Sequence, residues 1–193
     1  APDDIGYPSG AAVLLTRRLL ETVGMFDERF WMYNEDQDLG WRAHLAGFRV
    51  VLAPDAVVWH KYRFQREASK YYWLDRNRIL AILKNYRWST LLLIAPAFGV
   101  MELGLLYFAF RQGWLRDKFR VWLYFWTPAH WPGLWRERRR VQRLRKRSDR
   151  AITGDFSGTI GYAEIDSPAL RVANRLFALY WRGVRALLNG LGI

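Results

Sequence analysis

From Ser89 to Phe110 the chain runs for 22 residues with one charge, Glu102, and one proline, Pro96. A helix of that length extends about 33 Å, the thickness of a bilayer core, so the stretch needs an apolar surrounding. The next stretch is of the opposite kind. Trp114, Trp122, Tyr124, Phe125, Trp126, Trp131 and Trp135 are interleaved with Arg and Lys. Between Arg111 and Arg150 there are 13 Lys or Arg against 3 Asp or Glu, so this stretch carries +10 of the net +12. A basic run with nearby tryptophans could track nucleic acid, but that does not account for the apolar segment beside it. A membrane accounts for both: apolar helix in the core, Trp at the interface, Arg on anionic headgroups. If Ser89–Phe110 spanned once, the basic stretch would lie opposite the first half of the chain, against the positive-inside tendency. Monotopic association, with both parts on one side, is therefore preferred over a single span.

The rest of the chain divides around this segment. Residues 1–88 read as mixed α/β. Ala11–Leu15 suits a buried strand, Arg17–Val23 a helix closed by Gly24, and Phe48–Ala53 and Ala56–Trp59 two short strands broken at Pro54. Lys70–Tyr86 is again helical. Residues 89–147 hold the apolar and basic aromatic helices. Residues 148–193 hold a loop over 153–167 and an amphipathic helix from Pro168 to Leu188. The absence of cysteine excludes disulfides and thiolate metal sites. No signal peptide is visible, and a start on Ala1 leads us to expect an excerpt of a longer chain.

Two groups carry chemistry. Asn34 precedes Glu35, Asp36, Gln37 and Asp38, which places an N-cap and three acids in the first turn of a helix running to about Ala46 and stopping at Gly47. Acids there complement the helix dipole. A carboxylate so placed, beside a loop, can also take a proton from a substrate hydroxyl, as sugar transfer from an activated donor requires. Asp36 and Asp38 cannot act as a joint metal pair on that helix, because two residues apart they point about 200° away from each other. His60, after an apolar run, is either a strand-end histidine or a divalent-metal ligand.

Taken jointly, Pro8-Ser9-Gly10-Ala11-Ala12, Val23-Gly24-Met25-Phe26-Asp27-Glu28-Arg29-Phe30, Tyr33-Asn34-Glu35-Asp36-Gln37-Asp38-Leu39-Gly40-Trp41-Arg42, Ala46-Gly47-Phe48-Arg49-Val50, Pro54-Asp55-Ala56 and His60-Lys61 resemble family 2 glycosyltransferases of the rhamnosyltransferase-like group. Arg76-Asn77-Arg78 and Lys84-Asn85-Tyr86 extend the resemblance. It implies an α/β fold, the C-terminal, acceptor-side half of a GT-A domain followed by membrane-associated helices, with inverting transfer from a nucleotide-sugar donor to a glycan or lipid-linked acceptor. It assigns Asp36 as the catalytic base. Glu35, Asp38, Trp41, Arg76 and Asn77 are placed on the acceptor side, Ser9 and Gly10 on the donor-facing loop, and His60 as ligand to Mg or Mn. Phe26-Asp27 is expected to be a structural turn. The family's nucleotide-binding half, with its Asp-x-Asp, is missing, so the remaining metal ligands are expected from elsewhere and the fragment alone is expected to be inactive. The implied location is the cytoplasmic face of the membrane, with an anionic lipid surface and no nucleic acid as partner. A non-catalytic membrane-bound subunit or truncated remnant is the alternative.

Overall fold

The computed structural model describes residues 3–61, 69–153, 157–159 and 168–191. Eight α-helices are found among them: α1 (Arg17–Val23), α2 (Glu35–Leu45), α3 (Ser69–Asn85), α4 (Trp88–Gln112), α5 (Leu115–Trp126), α6 (Trp131–Leu144), α7 (Asp149–Ile152) and α8 (Pro168–Leu191). Most of the loop expected over 153–167 falls outside the described residues.

The expected α/β half-domain is overturned. No strand forms among the described residues. There is one isolated antiparallel bridge, Asp4 with Val51, supported by Ile5 N–H to Val50 O (2.9 Å) and Leu52 N–H to Asp3 O (2.9 Å). The reason is the accounting of backbone hydrogen bonds. A helix satisfies its own amides, whereas a strand needs a neighbour on at least one edge. Phe48–Ala53 finds only that one bridge, and Ala11–Leu15 and Ala56–Trp59 find no neighbour among the described residues, where Leu14 is 95% exposed and Trp59 90%.

The helices begin and end for local reasons. Thr16 Oγ1 accepts from Leu19 N–H (3.2 Å) at the start of α1, and Gly24, at φ 79°, stops it. Gly113 (φ 78°) ends α4 and lets α5 fold back along it. The main core lies between α2, α3 and α6, where Phe30, Trp41, Leu45, Leu80, Ala81, Tyr86, Leu134, Val141 and Ile152 pack together. Trp41 and Tyr86 meet edge to face at 4.6 Å. A second cluster, Val23, Leu39 and Ala46, joins α1 to α2. The basic helix α6 is thus part of the core. Arg138 donates to the carbonyls of Leu83 and Tyr86 (2.7 Å to Tyr86), Gln142 to those of Lys84 and Asn85 (3.2 and 3.1 Å), and Arg145 to Asn85. These are the last carbonyls of α3, which have no partner within the helix. The side chains Arg136, Arg139, Arg143, Lys146, Arg147 and Arg150 remain exposed.

Helix α2 carries a glycine, Gly40, at a fully interior position because the N-terminal segment crosses it. A Cβ there would lie 2.7 Å from Tyr7 Cβ, 2.8 Å from Tyr7 Cα and 2.9 Å from Pro8 Cδ. Glycine-to-alanine in a helix ordinarily stabilises by about 0.5–1 kcal/mol. At Gly40 the sign should reverse: Gly40→Ala is expected to cost about 1–3 kcal/mol through overpacking, read as a lower urea midpoint. A midpoint at or above that of the parent would mean that Tyr7 and Pro8 do not lie on α2.

Candidate active site

The site is built at the N-terminal end of α2, on the loop that leads into it. Asp27 starts this loop and caps a short 3-10 turn, Glu28–Phe30, by accepting from Arg29 N–H (3.2 Å). Three non-glycine residues then take positive φ: Trp31 (59°), Tyr33 (68°) and Asn34 (64°). Each costs about 1–3 kcal/mol and persists only where the surroundings hold it. Helix α3 does the holding. Asn77 Nδ2 is shared among the carbonyls of Phe30 (2.7 Å), Met32 (2.8 Å) and Tyr33 (2.7 Å). The Arg76 guanidinium donates to the carbonyls of Arg29 and Phe30 and, at 2.8 Å, to Asn77 Oδ1. It is fixed in turn over Trp73, 4.3 Å from the ring centre, and Tyr124, at 5.0 Å.

Beneath the loop runs a chain of buried charges. Lys84 Nζ donates to Asp27 Oδ2 (2.7 Å) and to Asp38 Oδ2 (2.8 Å). Asp38 also accepts from Arg42 Nε (2.8 Å) and Asn85 Nδ2 (3.0 Å). Arg42 spends its remaining donors on the carbonyls of Val23 (2.6 Å) and Met25 (2.9 Å), which closes the end of α1. Burial by itself would push the Asp27 carboxyl up. The hydrogen bond from Arg29, with the charge and hydrogen bond of Lys84 and the charge of Arg29, overcomes it and holds the group well below the ordinary carboxylate range.

Asp36 lies on the opposite side of α2 from Asp38 and is partly exposed. Its Oδ2 accepts from Gly10 N–H (2.8 Å) and its Oδ1 from Gln37 N–H (2.7 Å). Ser9 Oγ closes the same loop by accepting from Ala11 N–H (3.3 Å). The expected base and the expected donor-side loop therefore meet through one amide. Glu35 is raised by burial and then by the neighbouring charge of Asp36, and its buried Oε2 finds no hydrogen-bond partner among the described residues. The other expected acceptor-side residues are interior: Asp38 and Asn77 are completely buried, and Trp41 and Arg76 nearly so. They shape the site from behind. Asn34 does not cap α2 through its side chain; its amide donates to Gln37 Oε1 instead (2.7 Å).

His60 is exposed, and no three His, Asp or Glu residues come together to hold a metal among the described residues. A divalent ion there would need ligands from outside them. A shallow pocket lined by Asp4, Gly6, His44, Arg49, Arg147, Ala151 and Ile152 contains none of the expected site residues. Sequence reasoning passed over Lys84 as a charge bridge and over Trp31, which is 75% exposed on the strained loop. The clue to the first was a lysine set among apolar helix positions. The clue to the second was an aromatic directly before the Met-Tyr-Asn that enters the acidic helix.

A depressed carboxyl stabilises the fold above its unfolded pKa of about 3.9, and that contribution drains as pH falls toward the lower folded value. Below about pH 5 stability should therefore decline, partly through Asp27. Asp27→Asn should cost about 2 kcal/mol at neutral pH and flatten the acid limb, measured as urea midpoints from pH 3 to 7. Acid limbs of equal slope in the two proteins would remove Asp27 from the network.

A family model described as Glycosyltransferase like family 2 matches residues 5–80. The N-acetylglucosaminyl-diphospho-decaprenol L-rhamnosyltransferases of Mycobacterium tuberculosis, strains CDC 1551 / Oshkosh and ATCC 25618 / H37Rv, are each 46% identical to this chain over 56 residues, which is 29% of this chain and 18% of theirs. The O-antigen biosynthesis protein RfbC of Myxococcus xanthus is 36% identical over 71 residues, 35% of this chain and 6% of that protein. The chain thus spans less than a fifth of the curated relatives it matches. No solved structure matches.

Proposed function

We propose, from the match of residues 5–80 to the family 2 glycosyltransferase model, that this chain belongs to an inverting glycosyltransferase in which Asp36 is the general base. The observation that carries the reading is the Asp36 carboxylate at the start of α2, oriented by the Gly10 amide and partly exposed. In the reaction an acceptor hydroxyl gives its proton to Asp36. Its oxygen bonds to the anomeric carbon of the donor sugar from the face opposite the diphosphate, and the anomeric C–O bond breaks to release the nucleotide. Glu35, its carboxyl raised by burial and by the neighbouring charge of Asp36, lines the acceptor side next to the base. Ser9 and Gly10 face the donor sugar. A divalent ion belongs to the same reading, with His60 as one ligand, and would neutralise the departing diphosphate. The rhamnosyltransferase name of the Mycobacterium tuberculosis relatives supports a polyprenyl diphosphate-linked sugar as acceptor.

A lipid-linked acceptor agrees with the surface of the second half. Helix α4 is long and apolar enough to cross a membrane by length and composition. Midway along it, however, Glu102 pairs with Arg78 of α3 and Lys118 of α5 (2.7 Å) and accepts from Trp122 Nε1 (3.2 Å). A perpendicular span would draw those charges, and α3 with them, into the hydrocarbon. In our reading α4 lies in the plane of the cytoplasmic interface. The exposed Leu92, Leu103, Tyr107 and Phe110 of α4, Phe119 and Trp126 of α5 and Leu176 and Leu179 of α8 provide insertion, and the six exposed cations of α6 and α7 and the link between them provide headgroup attraction.

Asp36→Asn keeps the shape of the side chain and removes the proton-accepting charge. In the full-length enzyme it should lower transfer by roughly 10²- to 10⁴-fold with thermal stability and donor affinity little changed. Near-normal transfer would sink the assignment. Asp38→Asn should instead lower stability, because Lys84 and Arg42 lose their shared anion. For the membrane surface, flotation with anionic vesicles should weaken with salt yet persist, since apolar insertion survives screening. Complete release at high salt would count against inserted helices.

A further inference from the structure

The geometry points to Trp31 as a stacking platform for the acceptor sugar, an inference that rests on the transfer reading above. Trp31 is 75% exposed, yet its backbone is held in an unusual conformation. It sits at φ 59° and ψ −61°, a conformation that a tryptophan rarely adopts. The carbonyls on both sides of it, at Arg29, Phe30, Met32 and Tyr33, are gripped by Arg76 and Asn77 from α3. The fold therefore holds a large flat apolar side chain out into water, at a position from which a relaxed loop would let it fold back. Strain of this kind, maintained from behind, is a feature of binding loops.

The position fits a sugar. Three residues separate Trp31 from Glu35, a reach of at most about 14 Å over four steps, and left-handed turns at Tyr33 and Asn34 shorten it. A pyranose offers a C–H face that an indole covers and a rim of hydroxyls that carboxylates accept from. Trp31 supplies the first surface, and Glu35 and Asp36 supply the second. Asn77 and Arg76, interior as they are, act as positioning residues through the loop carbonyls.

The test uses the full-length enzyme labelled with 5-fluorotryptophan, with Trp31→Phe to identify the Trp31 fluorine resonance. The probe is a short-chain prenyl diphosphate monosaccharide. We expect the probe to shift that resonance, and Trp31→Ala to raise the acceptor KM about tenfold, the usual scale for truncating a tryptophan hot spot. Donor KM and melting temperature should stay constant, and Trp31→Phe should recover most of the loss. A resonance that ignores the probe while the parent enzyme transfers sugar overturns the platform and leaves the transfer reading standing. A shifted resonance with transfer retained in Asp36→Asn keeps the platform and fails the base. Unchanged acceptor KM with loss of vesicle flotation in Trp31→Ala overturns the platform in favour of a membrane anchor.

Discussion

The arrangement of the first half depends on one buried ammonium. Lys84 reaches from the end of α3 to Asp27 at the start of the loop and to Asp38 inside α2. Taking these charges out of water is costly, and it succeeds only because each has several partners. The partners are what matter for the site. Through Asp38 the network extends to Arg42 and so to the last carbonyls of α1; through Asp27 it extends to Arg29. One cation thereby sets the register of α3 against α2 and fixes where the loop between them starts.

That register decides which acid faces outward. Asp36 and Asp38 are two residues apart on one helix and so face in nearly opposite directions. With Asp38 turned inward to Lys84, Asp36 is turned outward to the Gly10 amide. The inner carboxylate is held by three cationic or amide donors, and the outer one remains reachable. An acidic cluster that is uniform in sequence thus separates into an inward, ion-paired member and an outward, partly exposed one.

Much of this was legible in the residues. Helix α1 with its glycine stop, the bounds of α2 and the long apolar helix all came from local rules of capping and composition, which act over a few residues. The strands did not, because a strand's existence is decided by a neighbour and not by its own alternation. The interior placement of the expected acceptor-side residues was not legible for a related reason. Asp38, Trp41, Arg76 and Asn77 belong to the same motifs as Asp36, and adjacency in a motif does not say which way a side chain points. Only the loop carbonyls and Lys84, distant in sequence, reveal that they are the backing of the site. The left-handed backbone at Trp31, Tyr33 and Asn34 had no glycine to announce it.

The capping of α3 by α6 has a consequence for how such a chain can be divided. Composition changes abruptly near residue 89, and a modular view would place a boundary there. Arg138, Gln142 and Arg145 lie beyond that point, yet they complete the carbonyl end of α3, and Leu134 and Val141 fill the space beside Trp41 and Tyr86. The cooperative unit therefore crosses the compositional border. An excised first half would lose part of its interior together with its apolar platform, whereas a fragment retained through α7 would keep both. The acidic helix start and the exposed apolar surface are in this sense inherited together, as two sides of one folding unit.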